Sequence, residues 1–198
     1  MISLFIDTSL SDVSIALIKE EKLISCIHNN IPGEHSIYVT KYIEDILKDN
    51  NLSPENIDEL VVVSGPGSFT GIRIGVTIAK MFAYLKNKRI VSITSLQARA
   101  IGNKSDYILS LIDARHDNYY IGLYDKDYNK ITEEFNSTSK VEELKQKYNP
   151  LVVDPSNKYN IEEIIKYCKK MPGENPHAVN PIYLKLPEAM EKNAKRSD

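Results

Sequence analysis

No tryptophan and only two cysteines occur among the 198 residues. Cys26 and Cys168 stand far apart, with the spacing of neither a metal knuckle nor a redox pair. A thiolate metal site and a dithiol reaction are therefore excluded, and a reducing cytoplasm is the expected setting. Cys26, between Ile24 and Ile27, reads as a small core residue. No apolar run approaches the ~20 residues of a spanning helix. The opening Met1-Ile2-Ser3-Leu4-Phe5-Ile6-Asp7 has neither a basic segment nor a small-residue cleavage site, so no membrane or export signal is read. Charge of one sign is also lacking: 25 Lys and Arg face 27 Asp and Glu, for a net −2. That balance excludes a bulk electrostatic nucleic-acid binder. The four histidines, His28, His35, His116 and His177, form no His-x-x-x-His or His-Glu-x-x-His pair, so no metal ligands are expected. His35 is expected to cap a helix or face solvent.

What is present is an ordinary folding balance, 42% hydrophobic and 26% charged, in a length suited to one domain or two small ones. Ile2, Leu4 and Ile6 alternate, as do Val13, Ile15 and Leu17, predicting strands joined by a charged hairpin at Lys19-Glu20-Glu21-Lys22. Residues 34–49 carry a helical face of Val39, Ile43, Ile46 and Leu47. Leu60-Val61-Val62-Val63 predicts a strand buried on both sides. A second helix over 70–86, a strand over 89–93 and a short helix ending near Gly102 follow.

An offset of 106 then pairs Ile6 with Ile112, Asp7 with Asp113, Ile15 with Ile121 and Leu17 with Leu123. The order of elements repeats as well, so duplication is the reading. A helical patch over 141–148, a strand over 151–154 and a helix over 161–168 make the second half a reduced copy. The expected division is an N-terminal domain 1–103, a smaller C-terminal domain 104–187 and a polar tail 188–198, which includes Lys195-Arg196. Pro172, Pro176, Pro181 and Pro187 predict an extended segment that docks on something already folded.

The sharpest motif is Gly65-Pro66-Gly67-Ser68-Phe69-Thr70-Gly71, between a buried strand and a helix. Such a loop can aim N–H groups at an anion. It is neither a P-loop, a dinucleotide fingerprint nor a nucleophile elbow; the structural alternative is a tight turn with Ser68 or Thr70 capping the helix. Asp7-Thr8-Ser9 stands where an actin-like ATPase holds Mg²⁺ and phosphate, but a lone acid at a strand end reads as a turn or cap. Seven of the eight glycines fall at or before Gly122, so the glycine-dependent nucleotide loops of a second half are missing. Asp7, Thr8, Ser9, Gly65, Gly67 and Ser68 are thus the expected remnant of a phosphate loop, with no cofactor. Gly71, Gly75, Ala79 and Ala83 recur every four residues, and interior glycine costs a helix about 1 kcal/mol, so close approach of another backbone is expected. Ile74, Ile78, Phe82 and Leu85 would form the core face opposite. Tyr38 and Tyr42 add surface to the first helix. Either the two helices present this excess to a partner, or they pack on each other within the fold.

Ile6-Asp7-Thr8-Ser9, Gly33-Glu34-His35-Ser36, the Gly65 to Gly75 stretch, Asp113-Ala114-Arg115 and Pro181-Ile182-Tyr183-Leu184-Lys185 together resemble the bacterial TsaB (YeaZ) family over nearly the whole chain. The resemblance implies an α/β fold of two RNase H-like halves of the actin/Hsp70/sugar-kinase type. It implies a non-catalytic subunit that dimerises with the TsaD transferase, joined by the TsaE ATPase, in making threonylcarbamoyladenosine at tRNA position 37. The contact it implies is a bundle of the two helices, with Tyr38, Tyr42, Gly71, Gly75, Ala79 and Ala83 as the partner-binding set. Gly75→Leu is then expected to abolish partner binding and leave the monomer folded. tRNA is reached only through the complex, and the free chain is a candidate homodimer. Where TsaD carries a His-x-x-x-His metal motif, this chain has Ser95-Leu96-Gln97-Ala98-Arg99-Ala100. Two departures stand out: the second half is short, and Lys185 replaces the family's usual Arg. The rival reading is a stand-alone actin-like ATPase or kinase; a peptidase lacks any readable nucleophile–base pair.

Overall fold

A strand that is apolar at every position needs cover on both faces. The computed structural model describes residues 1–30, 35–158 and 160–185; most of Gly33-Glu34-His35-Ser36, including the side chains of its last two residues, and the tail 188–198 lie outside them. β1 (Ile2–Asp7), β2 (Asp12–Lys19) and β3 (Lys22–Asn30) form an antiparallel meander, and α1 (His35–Asp49), β4 (Glu59–Val63), α2 (Phe69–Lys86) and β5 (Arg89–Ile93) follow. The strand order is β3-β2-β1-β4-β5, with β4 parallel to β1 and β5 parallel to β4. Alternation divides the side chains. Leu4, Ile6, Ile15 and Leu17 pack under α1 and α2. Phe5, Ala16 and Val61 pack on the opposite face with Ala98 of α3 (Ser95–Ala100) and Ile164, Ile165 and Cys168 of α5 (Ile161–Lys169). β4, buried along its length, contributes to both faces, as β1 and β2 do.

β6 (Tyr107–Asp113), β7 (Asn118–Asp125), β8 (Lys130–Ser137), α4 (Thr138–Tyr148) and β9 (Leu151–Val153) build a second sheet in the order β8-β7-β6-β9. Its connectivity repeats β3-β2-β1-β4. The offset of 106 holds in detail at the strand ends. Asp7 Oδ1 accepts the Ser9 N–H at 2.8 Å, and Asp113 Oδ1 accepts the Arg115 N–H at 2.7 Å. The hairpins differ by one residue: Ile6 faces Ile15, whereas Ile112 faces Tyr120.

Three features join the parts. Glu133 of β8 accepts from the Tyr124 hydroxyl of β7 and, at 2.5 Å, from Thr94, the residue that caps α3. Burial, with the Glu133 charge next, pushes the Tyr124 hydroxyl well up, so it stays a donor. Arg89 of β5 pairs with buried Glu59 of β4 and donates to the Cys168 and Met171 carbonyls at the end of α5, groups that a helix leaves without partners. Finally, the proline-rich segment runs extended along the first sheet. The Glu174 N–H donates to the Ile90 carbonyl and the Ile182 N–H to the Ser64 carbonyl, both at 2.8 Å.

Cys26 corrects the sequence reading. It is exposed, because β3 is an edge strand paired only with β2. Cys168 is buried, and desolvation pushes its thiol up to about 12. A thiol reagent at pH 8 is therefore expected to modify Cys26 alone in the native chain, and Cys168 only after unfolding. Rapid native modification of both would contradict the packing of α5.

Candidate functional site

Where β4 ends, the chain must turn sharply to start α2. Gly65, at φ +108°, adopts the left-handed backbone such a turn requires, and its Cα faces the Ile182 carbonyl. The next three glycines open space for a single dipeptide, Thr8-Ser9 at the end of β1. A Cβ at position 67 would stand 2.0 Å from the Ser9 carbonyl oxygen, one at 71 would stand 2.2 Å from the Thr8 carbonyl oxygen, and one at 75 would stand 2.3 Å from Thr8 Oγ1. Hydrogen bonds close the joint. The Ser68 N–H donates to the Ser9 carbonyl at 2.6 Å, and Thr8 Oγ1 donates to the Gly71 carbonyl at 2.7 Å. Ser68 caps α2 by accepting the Gly71 N–H.

Of the expected set, Gly67 and Ser68 meet Ser9, whose N–H is held by Asp7, while Gly65 faces Ile182 and Ile72 instead. The Ser9 carbonyl holds the Ser68 N–H that an anion would want, while the buried Ser9 hydroxyl is without a hydrogen-bond partner among the described residues. Two carbonyl oxygens face the helix start, an arrangement that favours fastening α2 to β1 over holding phosphate.

The small-residue ridge needs correction. Gly71, Gly75, Ala79 and Ala83 are buried together with Ile72 and Val76 on the inner face of α2. Thr8 occupies the room left by Gly71 and Gly75, and Ala79 and Ala83 pack into the core shared with α1 and the first sheet. The expected core face is met only in part: Ile74, Ile78 and Phe82 are half-buried against the first core, and Leu85 is 70% exposed. A spacing of four identifies a helix face without saying which way it points. Met81, 56% exposed, and Tyr84, 60% exposed, continue the outer stripe. Neither drew notice in the sequence, although positions 74, 77, 81 and 84 have helical spacing. On α1, Tyr38 and Tyr42 stack with centroids 5.6 Å apart, both half-buried, and Ile37 is 64% exposed.

The segment 181–185 lies over the start of α2. Arg73 Nε donates to the Tyr183 hydroxyl at 2.8 Å, and the Tyr183 ring meets Phe69 at 4.8 Å. Beside it a cavity of about 410 Å³ separates the two sheets, with Gly67 and Ser68 on one wall and Asp113 and Arg115 on the other. Among the described residues, no cluster of three His, Cys, Asp or Glu side chains could hold a metal ion, and no helix is long and apolar enough to cross a membrane.

A family model described as TsaD, tRNA N6-adenosine threonylcarbamoyltransferase, matches residues 30–192. The chain belongs to that family. Within it the chain groups with the TsaB (YeaZ) proteins. It is 36% identical over 126 residues to a Bacillus subtilis protein named tRNA threonylcarbamoyladenosine biosynthesis protein TsaB, a match covering 63% of this chain and 55% of that one. The Escherichia coli protein of the same name is 33% identical over 132 residues, covering 65% and 57%. The chain thus spans little more than half the length of these curated relatives. The fold is that of YeaZ from Pseudomonas aeruginosa, at a TM-score of 0.74 and 20% identity, covering 92% of this chain and 100% of that one.

The TsaB-type helix joint makes a direct prediction. Gly75→Ala places a methyl against Thr8 and is expected to lower unfolding free energy by about 1–3 kcal/mol, the usual cost of overpacking, measured by urea denaturation. Unchanged stability would return the ridge to the surface.

Proposed function

We propose that this chain is an accessory subunit that binds and supports a TsaD-type transferase, together with a TsaE-type ATPase, in forming threonylcarbamoyladenosine at tRNA position 37. The observation that carries the reading is the pair of helices α1 and α2. Their inner faces are fully used by the first sheet, yet Ile37, Met81, Tyr84 and Leu85 stay exposed beside half-buried Tyr38, Tyr42, Ile74 and Ile78. Apolar surface kept outward on two adjacent helices suits a helix-on-helix contact. The partner set is thus Tyr38 and Tyr42 with the outer stripe of α2, while Gly71, Gly75, Ala79 and Ala83 act from beneath by seating that helix. Without a partner, the same face pairs two copies of the chain.

The subunit is non-catalytic on its own in this reading. Residues 95–100 carry no histidine, and the glycine loop is closed by Thr8 and Ser9. A stand-alone ATPase or kinase has no comparable support. The chain is cytoplasmic and reaches tRNA only through the complex, in keeping with its near-neutral charge. Its domains are 1–103 and 104–187, the second a reduced RNase H-like copy of four strands against five among the described residues, with α5 returned to the first sheet.

Sedimentation velocity of this chain mixed with the TsaD-family transferase of the same organism tests the reading, and a heterodimer is the expected species. Leu85→Glu, on an exposed position, should keep the circular dichroism of the wild type. It should weaken association about thirtyfold, the equivalent of about 2 kcal/mol at one central contact. Unaltered affinity in that variant would remove α2 from the interface, and no heterodimer with wild type would remove the function.

A further inference from the structure

Two segments singled out in the sequence take no part in the partner reading, Asp113-Ala114-Arg115 and Pro181-Ile182-Tyr183-Leu184-Lys185. The fold brings both to the cavity of about 410 Å³ between the sheets, a volume within the range of ligand sites, about 300–1,000 Å³. Phe69 and Tyr183 line it. The Tyr183 ring is 39% exposed yet fixed in place, by Phe69 at 4.8 Å and by Arg73 Nε, which donates to its hydroxyl at 2.8 Å. Arg115 stands on the opposite wall, and the chain strains to put it there. Arg115, His116 and Asp117 take three successive left-handed conformations, at φ +67°, +53° and +56°, which residues other than glycine rarely adopt. Such strain persists where the surroundings enforce it, and it gathers at functional sites. Here Asn118 Nδ2 donates to the His116 carbonyl at 2.7 Å, and the Thr138 N–H donates to the Asp117 carbonyl at 3.1 Å.

Arg115 is the counterpart of Ser9 at the offset of 106. Ser9 is buried beneath the glycine loop, whereas residues 154–160, after β9, contain no glycine and Arg115 stays exposed. Its backbone bonds Asp113 and Asn118, but no described residue pairs with its guanidinium. Lys185 adds positive charge to the lining, with its ammonium 5.2 Å from the Phe135 ring, and Asp113 is the lining's acid. A fixed aromatic face across from a free guanidinium suits a ligand with a flat ring and an anionic group. Any base stacks on such a ring, and arginine takes phosphate through its planar fork. A duplex keeps its base faces stacked on one another, so the ligand is an unpaired nucleotide. We propose that, in the complex with the transferase, this cavity holds one unpaired nucleotide of the tRNA, its base on Tyr183 and its phosphate on Arg115. The inference rests on the tRNA-modifying role proposed above, and a single phosphate contact is compatible with a net charge of −2.

A fluorescently labelled, unmodified tRNA transcript is titrated with the heterodimer of this chain and the transferase, by anisotropy, over a range of salt. Arg115→Gln should weaken binding about tenfold, the loss of a charge-assisted contact. It should also flatten the log–log salt slope by about 0.7, the share of one single-strand phosphate. Tyr183→Leu should weaken binding about tenfold with the slope unchanged, and Tyr183→Phe, which keeps the ring, should bind as the wild type does. Arg115 is exposed on the hairpin between β6 and β7, so its variant should form the heterodimer with unaltered affinity, read by sedimentation velocity. A heterodimer in which Arg115→Gln leaves tRNA affinity and salt slope unchanged overturns the inference alone. Loss of heterodimer affinity in that variant would place Arg115 in the partner contact and overturn it too. No heterodimer with wild type overturns the proposed role and the inference with it. Displacement of the tRNA by equimolar AMP, inorganic phosphate or a blunt RNA duplex also overturns it, the first by assigning the cavity to a free nucleotide.

Discussion

The approach of α2 to the end of β1 is the constraint from which most of this structure follows. Gly67, Gly71 and Gly75 let the helix descend onto Thr8 and Ser9 until two carbonyl oxygens and the Thr8 hydroxyl occupy the space of missing Cβ atoms. A helix seated that deeply needs small residues beneath it, and Ala79 and Ala83 continue the line. Its larger side chains are left on the far side. The same joint receives the C-terminal segment, since Ile182 bonds Ser64 at the foot of the glycine loop and Tyr183 rests on Phe69 and Arg73. Three distant parts of the chain thus meet at one turn.

The second sheet is tied on by polar groups rather than by a shared apolar layer alone. Glu133, Tyr124 and Thr94 form a buried link between β8, β7 and the start of α3. Arg89 closes the opposite side by holding Glu59 and the last carbonyls of α5. Buried ionic groups do not guarantee stability, but removing one partner leaves the other stranded. The first link joins the second sheet to the start of α3, and the second fastens the end of α5 to the first sheet.

Much of the fold was legible in local pattern. The all-apolar run in β4, the alternation in β1 and β2, and the paired Asp7 and Asp113 turns follow from periodicity and from side-chain hydrogen bonding, both local. The docking of the proline-rich segment was legible only as a need: four prolines forbid regular structure, but nothing near them names Ile90 or Ser64 as partners. Cys26 and the glycine ridge failed for related reasons. Apolar neighbours do not reveal that β3 is an edge, and spacing of four does not reveal which side of a helix is inside. Ile72 and Val76, interleaved with the glycines, were the overlooked signal. At the candidate site Thr8 and Ser9 lie against Gly67, Ser68 and Gly71, contacts more than fifty residues apart in sequence that no local pattern shows.

The central claim is that α2 turns its small residues inward and leaves Met81, Tyr84 and Leu85 exposed, the stripe proposed above for a partner. Hydroxyl-radical footprinting of the chain, alone and in complex with the TsaD-family transferase, reads it side chain by side chain. The account predicts that Met81, Tyr84 and Leu85 lose reactivity in the complex, while Tyr107 of β6 and Tyr148 of α4 keep theirs. Full reactivity of Met81 and Tyr84 within a formed complex would contradict it.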